Sequence, residues 1–254
     1  MPSRVVSLVP SLTESVALTA PELLVGATDW CTEPAWLDVP RVGGSKYPRV
    51  DDVVALAPDL VLANEEENRL ADVEALRAAG IEVWICFPRT VESALSTLDE
   101  LVTVLGVPRP AWLDAAERAW AALPPATAAG RHSAACSGGA VPRRALVPVW
   151  RRPWIWLGTD TFAADVLRCL GVTVPQLGAD PAQRYPRLDV PAAIEQAEPD
   201  LVVLPDEPYR FTATDGPEAF DGLPTALVSG RHLTWYGPSL AEAPRHLSAA
   251  LPPA

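Results

Sequence analysis

The sequence predicts an α/β protein of two related lobes, each built on a parallel sheet, joined by a helical backbone connector. Three observations carry this prediction. Apolar runs of strand length alternate with helix-period segments along most of the chain, the pattern of βαβ units. Two motifs recur in the same order: Tyr47-Pro48-Arg49-Val50-Asp51 returns 138 residues later as Tyr185-Pro186-Arg187-Leu188-Asp189, and Ala57-Pro58-Asp59-Leu60-Val61-Leu62 returns 141 residues later as Glu198-Pro199-Asp200-Leu201-Val202-Val203. Between the copies lies a stretch with helical period. The chain therefore divides into an N-terminal lobe (1–89), a connector with a loop (90–143) and a C-terminal lobe (144–254).

In chain order, strands are expected near Val5–Val9, Leu24–Ala27, Leu60–Ala63 and Glu82–Cys86. Ser11-x-x-Glu14 reads as a capping box opening the first helix, and Asn68 as the start of another that Gly80 ends. Val91, Leu95, Leu98, Leu101 and Leu105 recur on one side of a helix from Thr90 that Gly106 stops. A second connector helix runs from Pro110, suited to a first helical position, to Leu123. Residues Pro124 to Gly139, rich in Ala, Gly, Ser and Pro, read as a loose connection. A second strand set follows near Arg144–Trp150, Val172–Pro175, Leu201–Leu204 and Ala226–Ser229, and a last helix opens with Ser239-x-x-Glu242.

Composition narrows the function. The 254 residues are 49% hydrophobic and 20% charged, as in folded globular chains. A formal charge of −12 argues against nucleic-acid or anionic-membrane partners. No run of about 18 apolar residues spans a bilayer. Val5–Val9 begins almost at once without an export signal, so a cytoplasmic location is expected, or export if the true start lies upstream. Cys31, Cys86, Cys136 and Cys169 form no C-x-x-C pair and read as buried, reduced thiols. His132, His232 and His246 show no H-x-x-x-H spacing, so no metal is expected. Neither G-x-S-x-G nor a phosphate loop occurs, and no catalytic residue is assigned.

Ligand contacts are more legible than chemistry. Trp30, Trp150, Trp154, Trp235 and Tyr236 lie at or near expected strand-to-helix turns, where flat aromatic faces suit a large planar or apolar ligand, or else serve ordinary core packing. Lys46, the one lysine of the chain, sits in the loop Val42-Gly43-Gly44-Ser45-Lys46-Tyr47-Pro48 and is placed either to meet an acidic ligand group or to remain at the surface. The repeat sets Glu65 and Glu66 opposite Asp206 and Glu207, an acidic pair after a strand in each lobe, or simply solvated turn residues.

The run Arg4-Val5-Val6-Ser7-Leu8-Val9-Pro10-Ser11-Leu12-Thr13-Glu14, then Leu24-Val25-Gly26, Val39-Pro40-Arg41-Val42-Gly43-Gly44 and Leu56-Ala57-Pro58-Asp59-Leu60-Val61-Leu62, resembles the vitamin B12 and iron-siderophore type (class III, helical-backbone) of solute-binding protein. The likeness continues through Glu66-Glu67-Asn68-Arg69, Gly158-Thr159-Asp160-Thr161 and Pro205-Asp206-Glu207-Pro208-Tyr209. It implies a non-enzymatic receptor holding a cobalamin-like corrinoid, or a ferric siderophore or haem, in a cleft between two lobes. It further implies aromatic cradle residues at Trp30 and Trp235, with Lys46 and Trp154 beside them. One glutamate per lobe, Glu66 or Glu67 and then Glu207, would dock on arginines of an ABC permease if the chain is exported. Two other readings stand beside it: an enzyme using the carboxylates Glu66, Asp160 and Glu207, and a regulatory or scaffold protein whose acidic tips meet a basic partner.

Overall fold

The computed structural model describes residues 1–124 and 142–252. Residues 125–139 of the expected loose connection, with His132 and Cys136, lie outside the described residues. The first lobe contains β1 (Val5–Ser7), α1 (Pro10–Ala17), β2 (Leu24–Ala27), α2 (Val50–Ala55), β3 (Leu60–Asn64), α3 (Leu70–Ala78) and β4 (Glu82–Cys86). Two helices follow, α4 (Val91–Leu105) and α5 (Ala111–Ala121). Then come β5 (Arg143–Leu146), β6 (Pro148–Arg151), β7 (Trp154–Trp156), α6 (Phe162–Cys169), β8 (Val172–Thr173), α7 (Val190–Ala197), β9 (Leu201–Pro205), β10 (Thr225–Val228), α8 (Gly230–Thr234) and α9 (Ala243–Ala250).

Eight of the ten described strands form two four-stranded parallel sheets with one topology, and β6 and β7 pair as an antiparallel hairpin. The order is β2-β1-β3-β4 in the first lobe and β8-β5-β9-β10 in the second, so β1, β2, β3 and β4 correspond to β5, β8, β9 and β10. The sequence repeat has a physical basis at its Pro-Asp step. In the first lobe the Asp59 carboxylate accepts the backbone N–H groups of Ser3 (2.7 Å) and Arg4 (3.0 Å), and its own N–H donates to Arg4 O (2.8 Å). In the second, Asp200 accepts the Arg144 N–H (2.7 Å) and donates to Arg144 O (2.8 Å). Each aspartate thus ties the start of one strand to its neighbour. Ala57 and Glu198, just before the two prolines, share a left-handed conformation (φ 46° and 43°) that ends the preceding helix. At the far ends Glu65 N–H donates to Cys86 O and Asp206 N–H to Val228 O, both 3.1 Å.

Each lobe has its own core. Val6, Val61, Ala63, Val73, Leu76 and Val83 are buried in the first; Leu146, Trp156, Val202, Leu204, Phe211 and Phe220 in the second. Among the inner strands, β3 and β9 are buried along their whole length, as expected of strands covered on two faces. By internal contact one compact unit comprises Met1–Pro88, Glu92–Ala116 and Trp235–Pro238, and the other Arg89–Val91, Glu117–Thr234 and Ser239–Ala254.

Several local expectations are corrected. The Ser11-x-x-Glu14 box does not cap α1: the helix starts one residue earlier, at Pro10, whose missing N–H needs no partner, and both Ser11 and Glu14 are buried within it. Ser239-x-x-Glu242 likewise fails as a box, because Pro238–Ala241 forms a 3₁₀ turn and α9 begins after Glu242, which makes no side-chain cap. Asn68 precedes α3, since its side chain is engaged elsewhere, although Gly80 (φ 82°) does follow the helix end. The single strand expected over Arg144–Trp150 divides at Val147 into β5 of the parallel sheet and β6 of an antiparallel hairpin with β7.

Candidate ligand-binding site

The carboxyl ends of β1 to β4 share one edge of the first sheet because all four strands are parallel. The loop leaving β2 there carries three aromatic side chains in water: Trp30 is 67% exposed, Trp36 60% and Tyr47 70%. Gly44 lies beneath Trp30, whose Nε1 sits 3.3 Å from where a Cβ would be. The Arg69 guanidinium lies 4.5 Å from the Tyr47 ring centroid, a cation–π contact that links this loop to the start of α3.

A network centred on Asn64 holds the adjoining acidic turn. Asn64 Oδ1 accepts the backbone N–H groups of Glu66 (2.7 Å) and Glu67 (3.2 Å), while its Nδ2 donates to the Tyr236 hydroxyl (2.5 Å). Asn68 Oδ1 accepts the Asn64 N–H (2.7 Å), and its Nδ2 donates to Ser45 O (2.9 Å), fastening the glycine-bearing loop to the strand end. Lys46 extends the same link by donating from Nζ to Glu66 O (2.5 Å). Burial pushes the Glu67 carboxyl up to about 7, with repulsion from Glu66 adding to it and Lys46 opposing it. Burial also pushes the Cys86 thiol up to about 12 and the Tyr236 phenol well above its ordinary range.

The expected site residues therefore occupy different settings. Trp30 and Lys46 are exposed on the loops of the first sheet edge, with Glu66 and Glu67 half-buried beside them. Trp235 and Tyr236 belong to the same compact unit but are buried, and Gly237 lies so close to α1 that a Cβ would stand 2.8 Å from Ser11 O. In the second lobe Trp154 is half-buried and stacks with Trp156 (centroids 5.6 Å) and Phe211 (6.2 Å), with Arg151 over its ring at 5.5 Å. Arg151 is in turn paired with Asp215 and Glu218. Glu207 is half-buried against Gly230, and Asp206 Oδ1 accepts the Gly230 N–H (2.6 Å). Asp160, a carboxylate of the enzyme reading, is paired with Arg89 (2.9 Å) and Arg184 (3.7 Å).

Cys31 and Cys86 are buried free thiols and Cys169 is half-buried. Thr13 and Thr28 hydroxyls approach Cys31 Sγ at 3.0 and 3.1 Å, and burial raises its pKa. Sequence reasoning passed over Asn64, because an asparagine at the end of an apolar run looks like a turn marker; its two polar ends matter only once Tyr236 is brought 172 residues back to it. It also passed over Trp36 and Tyr47, which no strand end flags.

Two parallel sheets of like order, each followed by helices, with loops and acidic turns gathered at the strand ends, can be compared with known proteins. No protein-family model matches the chain, and a search of curated proteins finds no match. Solved structures do match. The periplasmic heme-binding protein BhuT in complex with two hemes is 28% identical over 98% of this chain and 99% of its own, with a TM-score of 0.77. The fold is that of the helical-backbone solute-binding proteins. Two further structures share this helical-backbone fold at lower identity. The periplasmic heme-binding protein RhuT from Roseiflexus sp. RS-1 in apo form is 20% identical, covering 98% of each chain (TM-score 0.73). The periplasmic vitamin B12 binding protein BtuF of Vibrio cholerae is 15% identical, covering 98% of this chain and 96% of its own (TM-score 0.67). These are binding proteins rather than enzymes, and all three are described as periplasmic, a setting at odds with the expected cytoplasmic location. No described helix is long and apolar enough to cross a membrane.

Proposed function

We propose that the chain is a receptor for a planar metal tetrapyrrole, haem or a corrinoid, which rests on the exposed aromatics of the first lobe. The observation that carries this is the grouping of Trp30, Trp36 and Tyr47 in one loop at the carboxyl edge of that sheet. Such large apolar faces stay in water at a cost that a flat ligand removes. Lys46, beside them, offers a cation to ligand carboxylates. Tyr236 acts from within the lobe: its hydroxyl fixes Asn64, and Asn64 fixes the acidic turn. Heme- and vitamin-B12-binding structures of the same fold support this ligand class.

Titration of the purified chain with hemin and with cyanocobalamin tests the proposal by tryptophan quenching and by the ligand's visible spectrum. Burying the exposed part of one indole contributes about 3 kcal/mol, so Trp30→Ala weakens binding by about 100-fold or more. The ligand is recovered chemically unchanged. Absence of quenching by either compound at tens of micromolar overturns the reading.

The repeat supports a docking role for one glutamate in each lobe. Glu66 and Glu207 stand at equivalent positions, one residue beyond the matched Glu65 and Asp206 contacts, and we assign them as the acidic points that meet a permease's basic residues. Glu67 fits this role less well, because its carboxyl takes up a proton near neutrality. The combined change Glu66→Arg and Glu207→Arg leaves ligand affinity intact and abolishes ligand uptake by membrane vesicles carrying the permease. Uptake that survives the double reversal refutes the assignment, and so does a cell fractionation that finds the protein only in the cytoplasm.

A further inference from the structure

The second lobe brings together two of the three histidines that are far apart in the sequence. His232, on α8, and His246, on α9, have ring centroids 4.4 Å apart, and Glu242 at the start of α9 completes a cluster in which one ligand atom from each residue lies within 4.8 Å of the others. The spacing of Glu242 and His246 is four residues, so both project from one face of α9's first turns. His246 Nε2 is already 3.5 Å from Glu242 Oε2. Donors on a tetrahedral Zn²⁺ ion, at bonds of about 2.0–2.1 Å, stand about 3.3 Å apart, so small side-chain rotations bring the cluster into range.

His232 supplies a second and independent observation. Its side chain is 9% exposed, its Nδ1 lies 2.8 Å from Ser229 Oγ, and its Nε2 is buried with no hydrogen-bond partner among the described residues. A buried ring nitrogen without a partner is costly, and a metal ion removes that cost. With Nδ1–H donated to the serine hydroxyl, the ring is held in the tautomer whose Nε2 lone pair is free, the arrangement that commonly orients a metal-bound histidine. The Arg245 guanidinium, 3.0 Å from His246 Nε2, is exposed and is displaced into water when a metal arrives.

We propose that His232, Glu242 and His246 form a three-ligand site for a borderline divalent transition ion, Zn²⁺ in the first instance. Two imidazoles and one carboxylate select such an ion over Ca²⁺ or Mg²⁺, which take oxygen ligands. The site clips α8 to α9, and it lies in a different set of residues from the aromatic loop of the first lobe.

Calorimetric titration of the full chain, free of any affinity tag, with ZnCl2 tests this. One ion binds per chain, and Zn²⁺ raises the thermal midpoint. Glu242→Gln and His246→Ala, both at exposed or half-buried positions, each weaken binding by about tenfold or more and abolish the midpoint shift while circular dichroism stays that of the parent. His132→Ala binds as the parent does. Absence of a heat of binding, binding that persists in the Glu242→Gln/His246→Ala double variant, or loss of binding in His132→Ala overturns the proposal.

Discussion

Replacing Glu67 by glutamine changes how stability depends on pH. The carboxyl titrates near 4.5 when freely solvated and at about 7 in the folded protein, chiefly because burial penalises its charge and Glu66 adds repulsion. A folded pKa raised above the unfolded one means that the folded state holds the proton more tightly. The stability this lends is complete below about pH 4.5 and is lost as pH rises through about 7. At about 1.4 kcal/mol per pH unit the interval amounts to about 3 kcal/mol, a ceiling because water still reaches part of the side chain. Glutamine keeps the neutral shape and cannot ionise. Urea unfolding at about pH 5 therefore finds Glu67→Gln within about 1 kcal/mol of the parent, and at about pH 8.5 finds it more stable by up to about 3 kcal/mol. Using the difference between two proteins at each pH cancels the other titrating groups. An equal gap at both pH values, or a parent more stable than the variant at about pH 8.5, refutes the account of the Glu66–Glu67 turn.

Two further changes probe the frame that carries the sites. Tyr236→Phe removes the acceptor for Asn64 Nδ2 and leaves a buried amide N–H without it, which costs about 1–3 kcal/mol in urea unfolding; a loss below about 0.5 kcal/mol contradicts the network. Gly230→Ala places a methyl 2.4 Å from Glu207 Cγ and 2.7 Å from Glu207 O, so stability falls by about 1–3 kcal/mol and vesicle uptake falls with it; an unchanged midpoint denies the close approach.

The two-lobed architecture was legible because the repeated motif is a backbone device. A proline that follows a left-handed residue ends a helix, and the aspartate after it fastens a neighbouring strand, so Pro58-Asp59 and Pro199-Asp200 mark the same corner in both lobes. Capping boxes were less informative. Ser11 and Glu14 have the right spacing, yet Pro10 takes the first helical position and draws both inside. The aromatic residues divided along a line that sequence does not carry: Trp30 remains in water while Trp154 is packed in a cluster, because position after a strand fixes the sheet edge but not how far a side chain is covered. The cluster of His232, Glu242 and His246 is not legible in the sequence, because one ring comes from α8 and the other from α9 and no H-x-x-x-H spacing marks it.

Asn64 and Tyr236 are separated by 172 residues, and the four residues Trp235–Pro238 complete the compact unit that begins at Met1. During synthesis, the β1–β4 sheet is finished long before the side chain that receives its Asn64 amide has been made. Closure over so long a loop is entropically costly and slow, so the first lobe gains its final stability only once Trp235–Pro238 has joined it. A protein truncated before Trp235 leaves the buried Asn64 and Cys86 without their tyrosine. The first lobe is thus fully formed only in a molecule in which Trp235–Pro238 has been made and has folded back onto it.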